Sequence, residues 1–218
     1  MSRLVLAVDT TYDHGSIALA RGETLLDEMP LHASSGFAQI LYGCLTDLLA
    51  RQRVSLADID VFATASGPGS FTGVRVGMAC VKGLAEARRK PAVAVSNLEV
   101  LARFGAGPLR AVLLDARRGD VYGAVYDDSG KLIVPEVVAK VPVWLAALPA
   151  GVEFVSNDFT AFDDSLPDAP RVTAPRELAG MVARMASTRE GQDPAALDAN
   201  YVRRADAEMA WQDEKLRT

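Results

Sequence analysis

The run Ser66-Gly67-Pro68-Gly69-Ser70-Phe71-Thr72-Gly73-Val74-Arg75-Val76-Gly77 holds the residues of this sequence best placed for chemistry. The apolar segment Val61-Phe62-Ala63-Thr64-Ala65 precedes it, and Val74, Met78, Val81 and Leu84 follow at helical spacing. Strand, glycine-rich loop and helix in that order can cradle an anion. Gly67, Gly69 and Gly73 permit backbone angles that other residues resist, Pro68 stiffens the turn, and the amide end of a helix attracts negative charge. Ser70 or Thr72 can cap the helix, and Arg75 in its first turn can neutralise a phosphate or pair with a carboxylate. The same pattern serves equally as a tight structural turn. No Gly-Lys-Ser/Thr follows, so it is not a P-loop, and it is not the first turn of the chain, as a dinucleotide fingerprint would be. The small residues Gly77, Cys80 and Gly83 predict that another backbone or helix comes close to this helix.

Asp9-Thr10-Thr11 ends the apolar segment Leu4-Val5-Leu6-Ala7-Val8, and Asp115 ends Arg110-Ala111-Val112-Leu113-Leu114 in the same way. An aspartate at a strand end is, taken alone, more often a turn former than a ligand. Other chemistries are poorly provided for. His14 and His32 both fall in loops, and Cys44 and Cys80 sit in apolar helical segments, so no metal site is expected. Ser70 has no histidine partner in any hydrolase pattern. The net charge of −5 argues against a chain that grips a nucleic-acid backbone unaided. With no apolar run of bilayer length and no signal peptide before Asp9, a cytoplasmic protein with free thiols is expected.

The elements that must position these residues follow from the patterning. Half the residues (50%) are hydrophobic and 23% are charged, so the 218-residue chain is globular, with room for one large domain or two small ones. Residues 4–9, 16–20 and 23–29 read as successive strands, and 37–53 as a helix whose apolar stripe is Ile40, Leu41, Cys44, Leu45, Leu48 and Leu49. A strand over 91–95 leads to a helix over 98–104 capped by Ser96-Asn97. Gly105-Ala106-Gly107-Pro108 reads as a linker between units 1–105 and 108–218. Beyond it, strands over 110–115, 121–126 and 131–134 repeat the opening in order and length. A short helix over 142–148, a strand over 152–156, an acidic loop over 157–171 and an amphipathic helix over 176–187 complete the reading, before the basic stretch Asn200-Tyr201-Val202-Arg203-Arg204.

The twelve-residue run as a string resembles the signature of the bacterial TsaB (YeaZ) family, accessory subunits in making N6-threonylcarbamoyladenosine on tRNA. The resemblance extends from Asp9 to about Asp120 and more loosely to Tyr201, where Tyr201-Val202-Arg203 is similar to a motif near the family's end. It implies the actin/hexokinase/Hsp70-like (ASKHA) fold: an α/β protein of duplicated ribonuclease-H-like domains with mixed sheets flanked by helices. It also implies that Asp9, Thr10 and Thr11 face nucleotide phosphates and that residues 66–73 with Arg75 are a vestigial phosphate site. A partner surface on the helices around the loop is implied as well, drawn from Gln39, Ile40, Tyr42, Gly43, Thr46, Asp47, Val76 and Cys80. The implied role is a non-catalytic scaffold that binds the TsaD catalytic subunit, with the TsaE ATPase in the same assembly. The resemblance further implies a homodimer in isolation, tRNA met only within the complex, and ATP or ADP, if any, at the complex interface. TsaD holds its metal with a His-x-x-x-His pair that is absent from the corresponding helix here. The alternative is an ATP-dependent small-molecule kinase of the same fold. It would need a second nucleotide loop, which the C-terminal half does not clearly offer.

Overall fold

The apolar strand at residues 4–9 is buried along its whole length, which requires cover on both faces, and the architecture supplies it. The structure, a computed structural model, describes residues 2–32 and 36–202. Residues 33–35 of the expected loop, and Arg203 and Arg204 of the expected basic stretch, lie outside the described residues. β1 (Leu4–Asp9), β2 (Gly15–Arg21) and β3 (Thr24–Leu31) form an antiparallel meander. β4 (Val61–Ala65) joins β1 in parallel and β5 (Ala92–Val95) joins β4, giving the order β3-β2-β1-β4-β5. The second sheet repeats this. β6 (Leu109–Asp115), β7 (Asp120–Asp127) and β8 (Leu132–Lys140) are the meander, with β9 (Glu153–Ser156) and β10 (Arg171–Thr173) added in parallel, in the order β10-β9-β6-β7-β8. This is the duplicated ribonuclease-H-like arrangement of the ASKHA fold.

Alternation along the strands sorts the core into layers. Leu4, Leu6, Val8 and Phe62 face α1 (Leu41–Gln52) and α2 (Phe71–Arg88) on the outer side of the first sheet. Val5, Ala7, Ala18, Ala20, Ala63 and Ala65 face inward, toward Val112, Leu114 and Ala124 of the second sheet. Between the sheets lie α3 (Asn97–Ala102), packed on the second sheet, and α5 (Ala179–Thr188), packed on the first. The alanines on that inner face leave room for α5, whose own Ala179, Ala183 and Ala186 are fully buried. α4 (Val141–Ala146) closes the far side of the second sheet around Trp144 and Phe154.

Several boundaries differ from the sequence reading. The helix expected over 37–53 is a 3-10 turn, Phe37–Gln39, followed by α1, which stops where Arg53 turns left-handed at φ 54°. α2 begins at Phe71, so Phe71, Thr72 and Gly73 belong to its first turn rather than to the loop. β8 runs to Lys140 instead of ending near Val134. It passes Pro135 by a bulge in which Pro135 and Glu136 together oppose the single residue Ala124. β10 emerges from the end of the stretch read as an acidic loop, too short at three residues to leave a periodic signal. The expected unit 108–218 does not stay with the second sheet. α5 returns to cover β1, β2 and β4, and Gln192 pairs with Ala92 at the first sheet's edge. The apolar face of α5 is satisfied there, against the small-residue face that β1 and β2 present.

Candidate functional site

The glycine-rich loop fastens to the ends of β5 and β1. Ser66 N–H donates to the Val95 carbonyl (2.8 Å), and Ser70 N–H donates to the Thr11 carbonyl (2.7 Å). Thr10 Oγ1 donates to the Gly73 carbonyl (2.7 Å), and Ser70 Oγ, the cap of α2, accepts from Gly73 N–H (3.3 Å). These contacts decide what the glycines are for. A Cβ on Gly69 would collide with the Thr11 carbonyl and one on Gly73 with the Thr10 carbonyl, while one on Gly77 would lie 2.7 Å from Thr10 Oγ1. Gly67 alone of the loop's glycines needs its residue type for a backbone angle, at φ +97°. The close approach predicted along α2 is therefore met at Gly77 by the end of β1. At Gly83 a Cβ would meet nothing within 4 Å, and Cys80 is buried.

Asp9, Thr10 and Thr11 are at most 1% exposed. Thr10 Oγ1, Thr11 Oγ1 and Asp9 Oδ1 are each hydrogen-bonded within the chain. Asp9 Oδ1 accepts from Thr11 N–H (2.9 Å) and Thr11 Oγ1 (2.6 Å), and burial pushes the Asp9 carboxyl up to about 6, with Glu28 adding to the rise. Asn97 completes the knot. It donates from Nδ2 to Thr11 Oγ1 (2.5 Å), accepts from Gly67 N–H at Oδ1 (3.1 Å), and donates its own N–H to the Gly67 carbonyl (2.8 Å). Sequence reasoning missed this residue as a site component. It read Ser96-Asn97 as a helix cap, and Ser96 is indeed the cap of α3, but nothing in the pattern distinguishes a buried, bridging asparagine from a second capping one.

Arg75 pairs with no carboxylate among the described residues. Its guanidinium lies 3.6 Å from the centre of the Phe71 ring, and Nε donates to Tyr201 Oη (3.0 Å). Phe71 (42% exposed) and Tyr201 (43%) make this an open aromatic and cationic face. Of the expected partner surface, Gln39, Tyr42, Gly43, Thr46 and Asp47 are exposed on α1 and the turn before it, and Ile40 and Val76 are half-buried. Gly43 presents a bare backbone, since a Cβ there would touch nothing. Cys80 is the exception: it is buried beneath Tyr42, whose hydroxyl it meets, and burial pushes its thiol up to about 11.

A cleft of about 400 Å3 opens where the β1–β2 turn meets the end of β6. Ion pairs tie its walls together. Arg117 lies 3.7 Å from both Asp13 and Asp115, and Arg176 bridges His14 Nε2 (2.6 Å) and Asp158 (3.2 Å). Asp115 itself accepts from Arg117 N–H (2.7 Å), the arrangement of a turn-forming aspartate. His14 and His32 lie 6.4 Å apart ring to ring, and among the described residues no group of three or more His, Cys, Asp or Glu could hold a metal ion. No helix among the described residues is long and apolar enough to cross a membrane.

Comparison with known proteins gives a consistent picture. The family model for tRNA N6-adenosine threonylcarbamoyltransferase, TsaD, matches residues 28–211. The tRNA threonylcarbamoyladenosine biosynthesis protein TsaB of Bacillus subtilis is 30% identical over 226 residues, 95% of this chain and 97% of that protein. The Escherichia coli protein of the same name is 38% identical over 133 residues, 58% of this chain and 57% of its own length. The solved structure of YeaZ from Pseudomonas aeruginosa is similar with a TM-score of 0.76 at 27% identity, over 92% of this chain and all (100%) of that one.

Proposed function

The chain belongs to the family that the threonylcarbamoyltransferase model describes and, within it, to the TsaB proteins, and from that premise we propose that it is a non-catalytic subunit for making N6-threonylcarbamoyladenosine on tRNA. One observation supports the non-catalytic half of this reading: several of the hydroxyls and amides around the loop are engaged within the chain. Asp9, Thr10 and Thr11 are buried, and Gly67 N–H, Ser70 N–H and the Gly73 carbonyl are bonded to Asn97, Thr11 and Thr10. Arg75, the cation in the first turns after the loop, is stacked on Phe71.

On this reading the chain acts through its surface. The exposed face of Gln39, Tyr42, Gly43, Thr46 and Asp47 receives a TsaD-type catalytic subunit, the bare backbone at Gly43 admitting a helix of the partner at close range. A homodimer uses the same face and competes with that partner. TsaE joins the assembly, tRNA is engaged only within it, and ATP or ADP belongs to the complex interface. The working units are the first sheet with α1, α2 and the returning α5, and the second sheet with α3 and α4.

Reconstitution tests this. Purified TsaC-type, TsaD and TsaE proteins are assayed for threonylcarbamoylation of tRNA with and without this chain. Modification that depends on the chain, with no ATP turnover by the chain alone, is the expected result. Tight, magnesium-dependent nucleotide binding with turnover by the isolated chain, and no effect on tRNA, would overturn the reading in favour of a kinase.

A further inference from the structure

We propose that residues 197–202 form a latch that holds the glycine-rich loop of the first sheet to the second sheet, with Asn200 as its bolt and Glu136 as its catch. The latch is built from separate stretches of chain. Asn200 N–H donates to the Ser66 carbonyl (2.8 Å), the first residue of the loop, and the Asn200 carbonyl sits 3.2 Å from where Gly67 would carry a Cβ. Its side chain points the other way: Nδ2 donates to Glu136 Oε2 (2.5 Å), on β8, and to Ser96 Oγ (3.3 Å) at the cap of α3. Glu136 also collects Ser96 Oγ (2.5 Å) and Tyr126 Oη (2.6 Å) on Oε1. One carboxylate thus gathers donors from α3, from β7 and from the returning chain, and hydrogen bonds to a charged acceptor are the stronger kind.

The neighbouring irregularities make sense as parts of this device. The bulge at Pro135 and Glu136 is where β8 leaves the ladder opposite Ala124, and bulges re-aim side chains. On the other side of the bolt, Tyr201 lies over Phe71 with ring centres 5.4 Å apart and accepts from Arg75, so the latch ends on the first turn of α2. Leu197 anchors its start in the core beneath α2, at 3% exposure. The loop, the α3 cap and β8 are therefore held by one short segment, and they open together when it lets go.

Hydrogen–deuterium exchange of the full chain tests this, comparing the native sequence with Asn200→Ala and, from the opposite sheet, Glu136→Gln. Losing a hydrogen bond to a charged group is expected to speed exchange by about tenfold or more. In both variants the acceleration is expected in peptides covering the loop (62–72), the α3 cap (95–99) and β8 (132–140), while β1 and α5 stay as in the native chain. Acceleration confined to the mutated segment, or spread evenly through the chain, would overturn the proposal. If Asn200→Ala fails to fold, Glu136→Gln decides alone: the loop must respond to a change made in the other sheet, and an unchanged loop refutes the latch.

Discussion

Asp9 and Asp115 occupy the same place in the two copies of one topology, each the last residue of the strand that opens its meander. Asp9 is 1% exposed and sealed beneath a glycine loop and a buried asparagine, whereas the Asp115 side chain is 33% exposed and meets an arginine in a surface cleft. The segment after the next parallel strand explains the contrast. In the first copy β4 leads into the loop and α2, which lean on β1. In the second, β9 leads into residues 157–170, a segment that forms no helix. A duplicated fold places an aspartate at both strand ends, and the cover laid over each end determines whether it becomes part of the interior or of the surface.

The contrast breaks most sharply at Gly73. A β-branched residue there drives its Cβ into the Thr10 carbonyl, so Gly73→Val forces α2 away from β1, at a cost of about 3 kcal/mol or more. Urea unfolding should show it as a large fall in midpoint. The same change at Gly119, in the turn of the second meander, meets no atom within 4 Å but sits at φ +76°, so its penalty is conformational alone and about 1–2 kcal/mol. Equal losses at the two sites would remove the distinction between a packed and an open strand end.

Titration gives the next largest effect. Asp9 has an ordinary value of 3.8 and is held at about 6 in the folded chain. Below the lower value both states are protonated. Between the two, the unfolded chain gives up its proton while the folded chain keeps it, so stability falls as pH rises through this window and levels off above it. The fall attributable to Asp9 is about 3 kcal/mol at most. Asp9→Asn keeps an oxygen to accept from Thr11 and removes the charge. Chemical denaturation from pH 4 to pH 7 should show the slope in the native chain and its loss in the variant.

The sequence showed the duplicated meanders because strands buried on one or both faces leave runs such as Leu4-Val5-Leu6-Ala7-Val8, and it showed the glycine loop because the motif is dense. It could not show that the loop's glycines accommodate β1, because a glycine needed for close approach and one needed to cradle an anion look alike. Asn97, Glu136 and Asn200 were equally hidden. Their partners lie tens of residues away in sequence, and a polar residue's long-range hydrogen bonds leave no periodicity. The return of α5 to the first sheet was illegible for a related reason: its apolar stripe says that a face is buried, not against which sheet.

The smallest effect belongs to the open copy. Arg117 is 74% exposed at its side chain and reaches both Asp13 and Asp115 at 3.7 Å, too far for well-formed charge-assisted hydrogen bonds and fully accessible to salt. Arg117 also turns left-handed, at φ 65°, a conformation that costs alanine and arginine alike, so Arg117→Ala changes the ion pairs without changing the backbone strain. Its expected cost is below about 0.5 kcal/mol, and smaller still in high salt. Thermal unfolding at low and high ionic strength measures both. A loss comparable with that at Gly73, persisting in high salt, would mean that these pairs close the cleft firmly. The strand end of the second copy would then be sealed as tightly as that of the first, with Asp115 held by charge where Asp9 is held by packing.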